Sequence, residues 1–325
     1  MHNKPDVALD PQAQALLEQM NTMQAQAAVG DRILSPTQGL VAGREAYRAS
    51  IPLAGEPEPV ESVYERQIPS SAGNILVRIY KPNQDNSAPV LVYFHGGGFT
   101  AGDLDTHDTP LRALSNRASC IIVSVAYRLA PEHGFPAAPE DCYAVTNWVA
   151  QHAQEIGGDK TRVAVGGDSA GGDLAAVVCL MARDYGSPKI LYQVLLYPDT
   201  DLTESSLSWL EFADTNKPII TREGKLASIS MYVPPEVDIK NPYVSPLYAQ
   251  DLSNLPPALV ITGEFDPQRD EGEAYTARLR QAGVSVEATR YAGMIHGFFQ
   301  MAGVLDGGKK VIEQTAAALR TAFAK

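Results

Sequence analysis

Cysteine is scarce: the 325 residues contain three, Cys120, Cys142 and Cys179. An odd number without close pairing excludes a disulfide framework and a zinc ribbon, and predicts reduced, buried thiols in a cytoplasmic protein. Long apolar runs are also missing. None approaches the ~18 residues of a membrane helix, and the longest, such as Cys120 to Ala126, reads as a buried strand. Positive charge is in deficit, with 26 Lys+Arg against 38 Asp+Glu and a net charge of -12. Such a surface repels phosphate backbones and anionic lipid, so neither a nucleic acid nor a membrane is expected as a partner. Met1 to Asp10 is polar and lacks the apolar core of a signal peptide. No His-Glu-x-x-His pattern or cysteine pair at ligand spacing is present, so the sequence predicts no metal and no other cofactor. A homo-oligomer is compatible with the composition and is not specified by it.

What is abundant is apolar sequence, 45% of residues against 20% charged, enough for a sizeable core. The length suits one large α/β domain with an insertion, or two domains. Residues 10–30 and 43–48 read as helices. Strands are expected at Val63 to Ile68 and Ile75 to Tyr80, joined through the turn Ser71 to Asn74, and at Pro89 to Phe94 and Cys120 to Ala126. Further strands are expected at Val163 to Val165, Ile190 to Tyr197, Ala258 to Thr262 and Val284 to Tyr291. Helical patterns separate most of them: Pro139 to His152, Gly172 to Asp184, Glu271 to Ala282 with Gly283 as its stop, and Lys309 to Ala324. The alternation predicts a mostly parallel, eight-stranded sheet flanked by helices. Thr200 to about Lys240 breaks the rhythm with Leu207, Trp209, Leu210, Phe212, Ile219, Ile220, Met231 and Tyr232 at helical spacing. Residues 200–240, with N-terminal residues 1–50, are expected to form a helical cap over one end of the sheet. Residues 51–199 and 241–325 would then form the main domain, and Trp209, Phe212 and Tyr232 the core of the cap, with a wall of the substrate pocket as the alternative.

Val163 to Gly172 reads as strand, turn and helix, and Gly167-Asp168-Ser169-Ala170-Gly171 within it matches G-x-S-x-G. A serine on such a turn exposes its hydroxyl, and the glycines let strand and helix approach. The helix that follows adds partial positive charge where negative charge would develop. By chance the five-residue pattern occurs in roughly one chain in ten of this length, so the flanking elements carry the argument. Val90 to Phe94 leads into His95-Gly96-Gly97-Gly98-Phe99. Three successive glycines leave backbone N–H groups unshielded, and Gly97, Gly98 and Ala170 could together hold an oxyanion. His95 reads as a residue tying this loop down.

After Ser169 the chain has a single histidine, His296, which follows a strand. Asp266 lies just past the end of the preceding strand, so both should emerge on the sheet edge that carries Ser169. Asp266 would orient one ring nitrogen of His296, leaving the other to take the serine proton. Glu264 and Asp270 are the fallback acids. Rival patterns fail on context. Gly96 to Ala101 fits a dinucleotide fingerprint, but no helix opens there and the next strand ends in Tyr127-Arg128 rather than an acid. Gly303 to Lys310 nearly spells a P-loop, but Lys310 replaces the magnesium-binding hydroxyl.

The chain resembles the hormone-sensitive-lipase-like esterases (bacterial family IV) of the α/β-hydrolase fold, from about Val60 to the C-terminus. The resemblance rests on His95 to Phe99, Tyr127-Arg128-Leu129-Ala130-Pro131-Glu132-His133, Gly167 to Gly172, Asp266-Pro267 with Arg269 to Gly272, and His296-Gly297-Phe298. It implies Ser169 as nucleophile with Asp266 and His296 as partners, and Gly97, Gly98 and Ala170 as oxyanion hole. It further implies a helical cap and metal-free hydrolysis of short- to medium-chain acyl esters. One departure is Asp173, where the family often carries Asn. The expected function is a serine carboxylesterase acting on small-molecule esters. Amide, formamide or lactone cleavage by the same residues, and a non-catalytic small-molecule receptor on this scaffold, are the alternatives.

Overall fold

The computed structural model describes residues 8–27, 36–82, 87–212 and 219–324. Its strands are β1 (Ser62–Ser70), β2 (Gly73–Lys81), β3 (Ala88–Phe94), β4 (Ile121–Val125), β5 (Gly158–Asp168), β6 (Tyr192–Leu196), β7 (Ala258–Phe265) and β8 (Val286–Ile295). They form one sheet in the order β1-β2-β4-β3-β5-β6-β7-β8. The β1–β2 and β2–β4 pairs are antiparallel and the rest parallel. The apolar runs explain this order. β3 and β4 are buried at every residue, as strands covered on both faces must be, whereas β1 buries only Ile68 and lies at the edge. Each fully buried Val or Ile of the central strands contributes about 1.5–3 kcal/mol.

Nine helices are described: α1 (Pro11–Ala27), α2 (Pro36–Arg48), α3 (Asp108–Ala118), α4 (Ala137–His152), α5 (Ala170–Asp184), α6 (Leu207–Phe212), α7 (Arg222–Tyr232), α8 (Arg269–Gln281) and α9 (Asp306–Phe323). One core joins α4, α5 and α8 to the sheet through residues such as Val149, Leu174 and Leu279. The other joins α1, α3 and α9 to the opposite face through Leu17, Leu114 and Leu319.

The expected strands and the hairpin are all present. β7 and β8 run several residues further than expected, to Phe265 and Ile295. Gly283 ends α8 with a φ of 82°. The first helix is described from Pro11 to Ala27, and residues 28–30 of the expected span lie outside the described part. Two differences have local causes. The helix expected at 43–48 is longer, covering Pro36–Arg48 among the described residues, because Gly39 and Gly43 weaken the helical signal of its first half. The sequence offered no helix at α3, whose only large buried aliphatic side chains are Leu111 and Leu114, with Pro110 in its first turn. The three cysteines are buried and free, and burial pushes the Cys120 thiol up to about 12. Among the described residues no helix is long and apolar enough to cross a membrane.

Parallel register sets the stage for chemistry. Phe94 pairs with Gly167, so the glycine-rich loop after β3 and the turn after β5 leave the sheet side by side. Phe265 pairs with Ile295, which places Asp266 and His296 together in the same way.

Candidate active site

Ser169 joins β5 to α5 with φ 55° and ψ -122°, a conformation that L residues rarely adopt. A glycine two residues on makes the turn feasible. A Cβ on Gly171 would lie 2.0 Å from the carbonyl oxygen of Phe94, so any side chain there would push the helix off the sheet. Because Ala170 opens α5, its N–H is one of the four that a helix leaves without an internal partner.

His296 Nε2 lies 2.9 Å from Ser169 Oγ, and His296 Nδ1 lies 2.8 Å from Asp266 Oδ2. The other Asp266 oxygen accepts the Gln268 N–H at 2.8 Å, which fixes the carboxylate plane. The His296 ring packs edge-on against Tyr197, with centroids 4.7 Å apart. Asp266 is 0% exposed, whereas Ser169 and His296 retain 8% and 7%. A ligand can therefore reach the hydroxyl end of this line and not the carboxylate end. The arrangement can carry a proton from the hydroxyl to the imidazole, with the tautomer held by the acid. The fallback acids are occupied elsewhere. Glu264 accepts the Gly293 N–H, and Asp270 accepts from Ser208 and Arg269.

The glycine-rich loop turns sharply at Gly97, where φ is 128° and a Cβ would lie 2.2 Å from Ala101 O. Gly97 and Gly98 are half-buried beside Ser169's turn. His95 is buried, and its Nδ1 is 2.8 Å from Gly96 O. Tyr127 stacks on the His95 ring at 4.3 Å and donates its hydroxyl to His95 O at 2.7 Å. Burial, with the neighbouring His107, pushes the His95 imidazole down to about 4, so the ring is neutral at pH 7. Gly96 and Asp168 are joined directly, the Gly96 N–H donating to Asp168 Oδ1 at 3.0 Å.

The structure thus brings together Ser169, His296 and Asp266, with Gly96, Gly97, Gly98 and Ala170 around them. Sequence reasoning missed several neighbours. Tyr93 and His107 both reach Asp168. Lys225 of α7 forms a buried ion pair with Asp199, whose own N–H donates to Ser169 O at 3.2 Å. Tyr232 stacks on Phe99 with centroids 3.9 Å apart, so this aromatic packs on the glycine-rich loop rather than only within the cap helices. Trp209 is buried and donates its indole N–H to Glu271 at 3.1 Å, and Phe212 lies against Phe265. A Cβ on Gly98 would come 3.3 Å from Ser228 Oγ, so α7 passes directly over the loop. Among the described residues no cluster of three His, Cys, Asp or Glu side chains is suited to hold a metal ion.

Residues 91–300 match the protein family described as alpha/beta hydrolase fold. Similar curated proteins include Esterase LipI of Mycobacterium tuberculosis, 42% identical over 88% of this chain and 90% of that protein. Carboxylesterase NlhH of the same organism is 44% identical over 77% of this chain and 79% of its own length. Among solved structures, an alpha/beta hydrolase enzyme from the metagenome of Lake Arreo, Spain, superposes with a TM-score of 0.91 at 37% identity. That match covers 98% of this chain and 99% of the other.

Proposed function

The chain belongs to the hormone-sensitive-lipase-like branch of the α/β-hydrolase family, and from that premise we propose that it is a serine carboxylesterase. Ser169 Oγ attacks the ester carbonyl carbon while His296 Nε2 accepts its proton. The N–H groups of Gly97, Gly98 and Ala170 hold the resulting oxyanion. The C–O bond then breaks, His296 returns the proton to the leaving alcohol, and the acyl group stays on Ser169. Water repeats the sequence and releases the acid. Asp266 accepts the Nδ1 proton bond throughout, which keeps Nε2 free to act and stabilises the imidazolium that forms.

The observation that carries this reading is the hydrogen-bonded line from Ser169 Oγ through His296 to Asp266, at 2.9 and 2.8 Å. The relatives named esterase and carboxylesterase support esters as the substrate class. Residues 1–50 and 200–240 act as the cap in this proposal, supported by the passage of α7 over Gly98, which favours short- to medium-chain acyl groups. Three free, buried thiols support a cytoplasmic location.

Replacing the nucleophile tests the reading. Ser169→Ala should lower kcat on p-nitrophenyl butyrate by up to ~10⁶, the size seen when a serine–histidine unit is broken. Near wild-type turnover in that variant would end the assignment. A matched ester and anilide pair checks the substrate class, and faster anilide cleavage would overturn the choice of esters.

A further inference from the structure

Three loops build the site described above, one after β3, one after β5 and one after β8, and a single buried side chain touches all of them. His107, fully buried at the start of α3, places Nε2 3.0 Å from Asp168 Oδ1, next to Ser169. The same nitrogen is 3.4 Å from the N–H of Gly96 on the glycine-rich loop. It is also 2.6 Å from the amide of Gln300, four residues beyond His296. Gln300 in turn exchanges hydrogen bonds with the Tyr47 hydroxyl of α2.

The orientation of this ring follows from its neighbours. The Thr106 hydroxyl lies 2.8 Å from Asp103 O and 2.9 Å from His107 Nδ1, which holds the ring's other edge. On the other side Asp168 accepts as a carboxylate. Nε2 therefore donates, and at 2.6 Å the group that Gln300 turns toward it is its amide oxygen, since two donors do not approach so closely. Asp168 Oδ1 receives three donors in all: His107, the Tyr93 hydroxyl at 2.9 Å and the Gly96 N–H at 3.0 Å.

We propose that His107 is a positioning residue for the reaction: through Asp168 it sets the height of Gly96 and hence the aim of the Gly97 and Gly98 N–H groups. The inference rests on the reading of those groups as the oxyanion hole. It goes beyond that reading by giving a second histidine, outside the Ser169–His296–Asp266 line, a share in transition-state stabilisation. An oxyanion donor must be fixed before the charge appears, because reorganisation during the reaction forfeits the gain. The Gly96 N–H donates to Asp168 Oδ1 at 3.0 Å, and His107 decides the place of that oxygen.

The experiment uses the full-length protein and three variants. Glutamine keeps a donor near the Nε2 position, asparagine keeps one only near Nδ1, and leucine keeps neither. On p-nitrophenyl butyrate His107→Gln should hold kcat within about 10-fold of wild type. His107→Asn and His107→Leu should lose about 10- to 100-fold in kcat, below the 10²–10³ of deleting an oxyanion donor outright. KM should change by less than about threefold, because the interaction matters in the transition state. If leucine prevents folding, judged by circular dichroism, the glutamine and asparagine pair still decides. Equal kcat for those two, or a leucine variant that folds and keeps wild-type kcat, would overturn the proposal. Inactive wild-type protein, or an active Ser169→Ala variant, would instead overturn the underlying reading, so the two failures are distinct.

Discussion

Asp168 and Asp173 stand on either side of Ser169, one just before it and one four residues after, and both are buried. Their surroundings are opposite. Asp168 accepts three hydrogen bonds on a single oxygen. Neither carboxyl oxygen of Asp173 has a hydrogen-bond partner among the described residues. Burial works to raise both groups. At Asp168 the charge and hydrogen bond of His107, with Tyr93 and Gly96, overcome it and hold the carboxyl below the usual range. At Asp173 burial prevails, reinforced by Asp199 and opposed by Lys225, so its pKa lies well above the usual range and the neutral form is favoured. Between these two carboxyl groups, the donors rather than the depth of burial set the direction of the shift. The difference also accounts for the departure at Asp173. A protonated carboxyl has nearly the shape and charge of the asparagine amide that the family often carries there, so the substitution places no new anion behind the nucleophile.

Removing the well-partnered carboxylate should have the larger effect. Asp168→Ala strands the Gly96 N–H, the Tyr93 hydroxyl and His107 together, and should cost about 3–5 kcal/mol in urea unfolding at pH 7. A loss below about 1 kcal/mol would show that the three donors find other partners. The pH dependence has a definite sign. The folded-state pKa of Asp168 is depressed, so its contribution is present above the unfolded value of about 3.9 and disappears as pH falls through the folded value.

Asp173 should behave in the reverse sense and more weakly. Its folded-state pKa is raised, so stability is fullest below about pH 3.9 and declines as pH rises toward the folded value. Asp173→Asn removes that decline. The variant should be more stable than wild type at pH 7, by about 1–3 kcal/mol, the scale of one unsatisfied buried group. Unfolding curves between pH 5 and 8 should show the gap widening with pH. A constant gap, or a destabilised variant, would mean that Asp173 is charged and has found a partner.

The legible parts of this protein are those whose chemistry is written in adjacent residues. The turns at Gly97 and Ser169 show because each needs glycine within a few positions. Asp266 and His296 could be paired at a distance of 30 residues because each follows a strand, and parallel register then brings their strand ends together. What escaped was built from long-range pairs with no local signature. His107 meets Gln300 across 193 positions, and Lys225 meets Asp199 only because α7 folds back over the sheet. Thr106-His107-Asp108 lies where the sequence offered no element, and nothing in its spacing marks the histidine as the meeting point of three loops. Asp173 was visible as a departure, but its charge could not be read until its empty surroundings were known.

The central claim is that one hydroxyl, on Ser169, carries the acyl group. Treating the protein with a fluorophosphonate while following ester hydrolysis, then locating the adduct by peptide mass spectrometry, tests this most directly. One phosphonyl group should appear per chain, on the peptide containing Ser169, and activity should fall in proportion to its occupancy. Full inactivation with the adduct on another residue, or undiminished hydrolysis by protein fully labelled at Ser169, would contradict it.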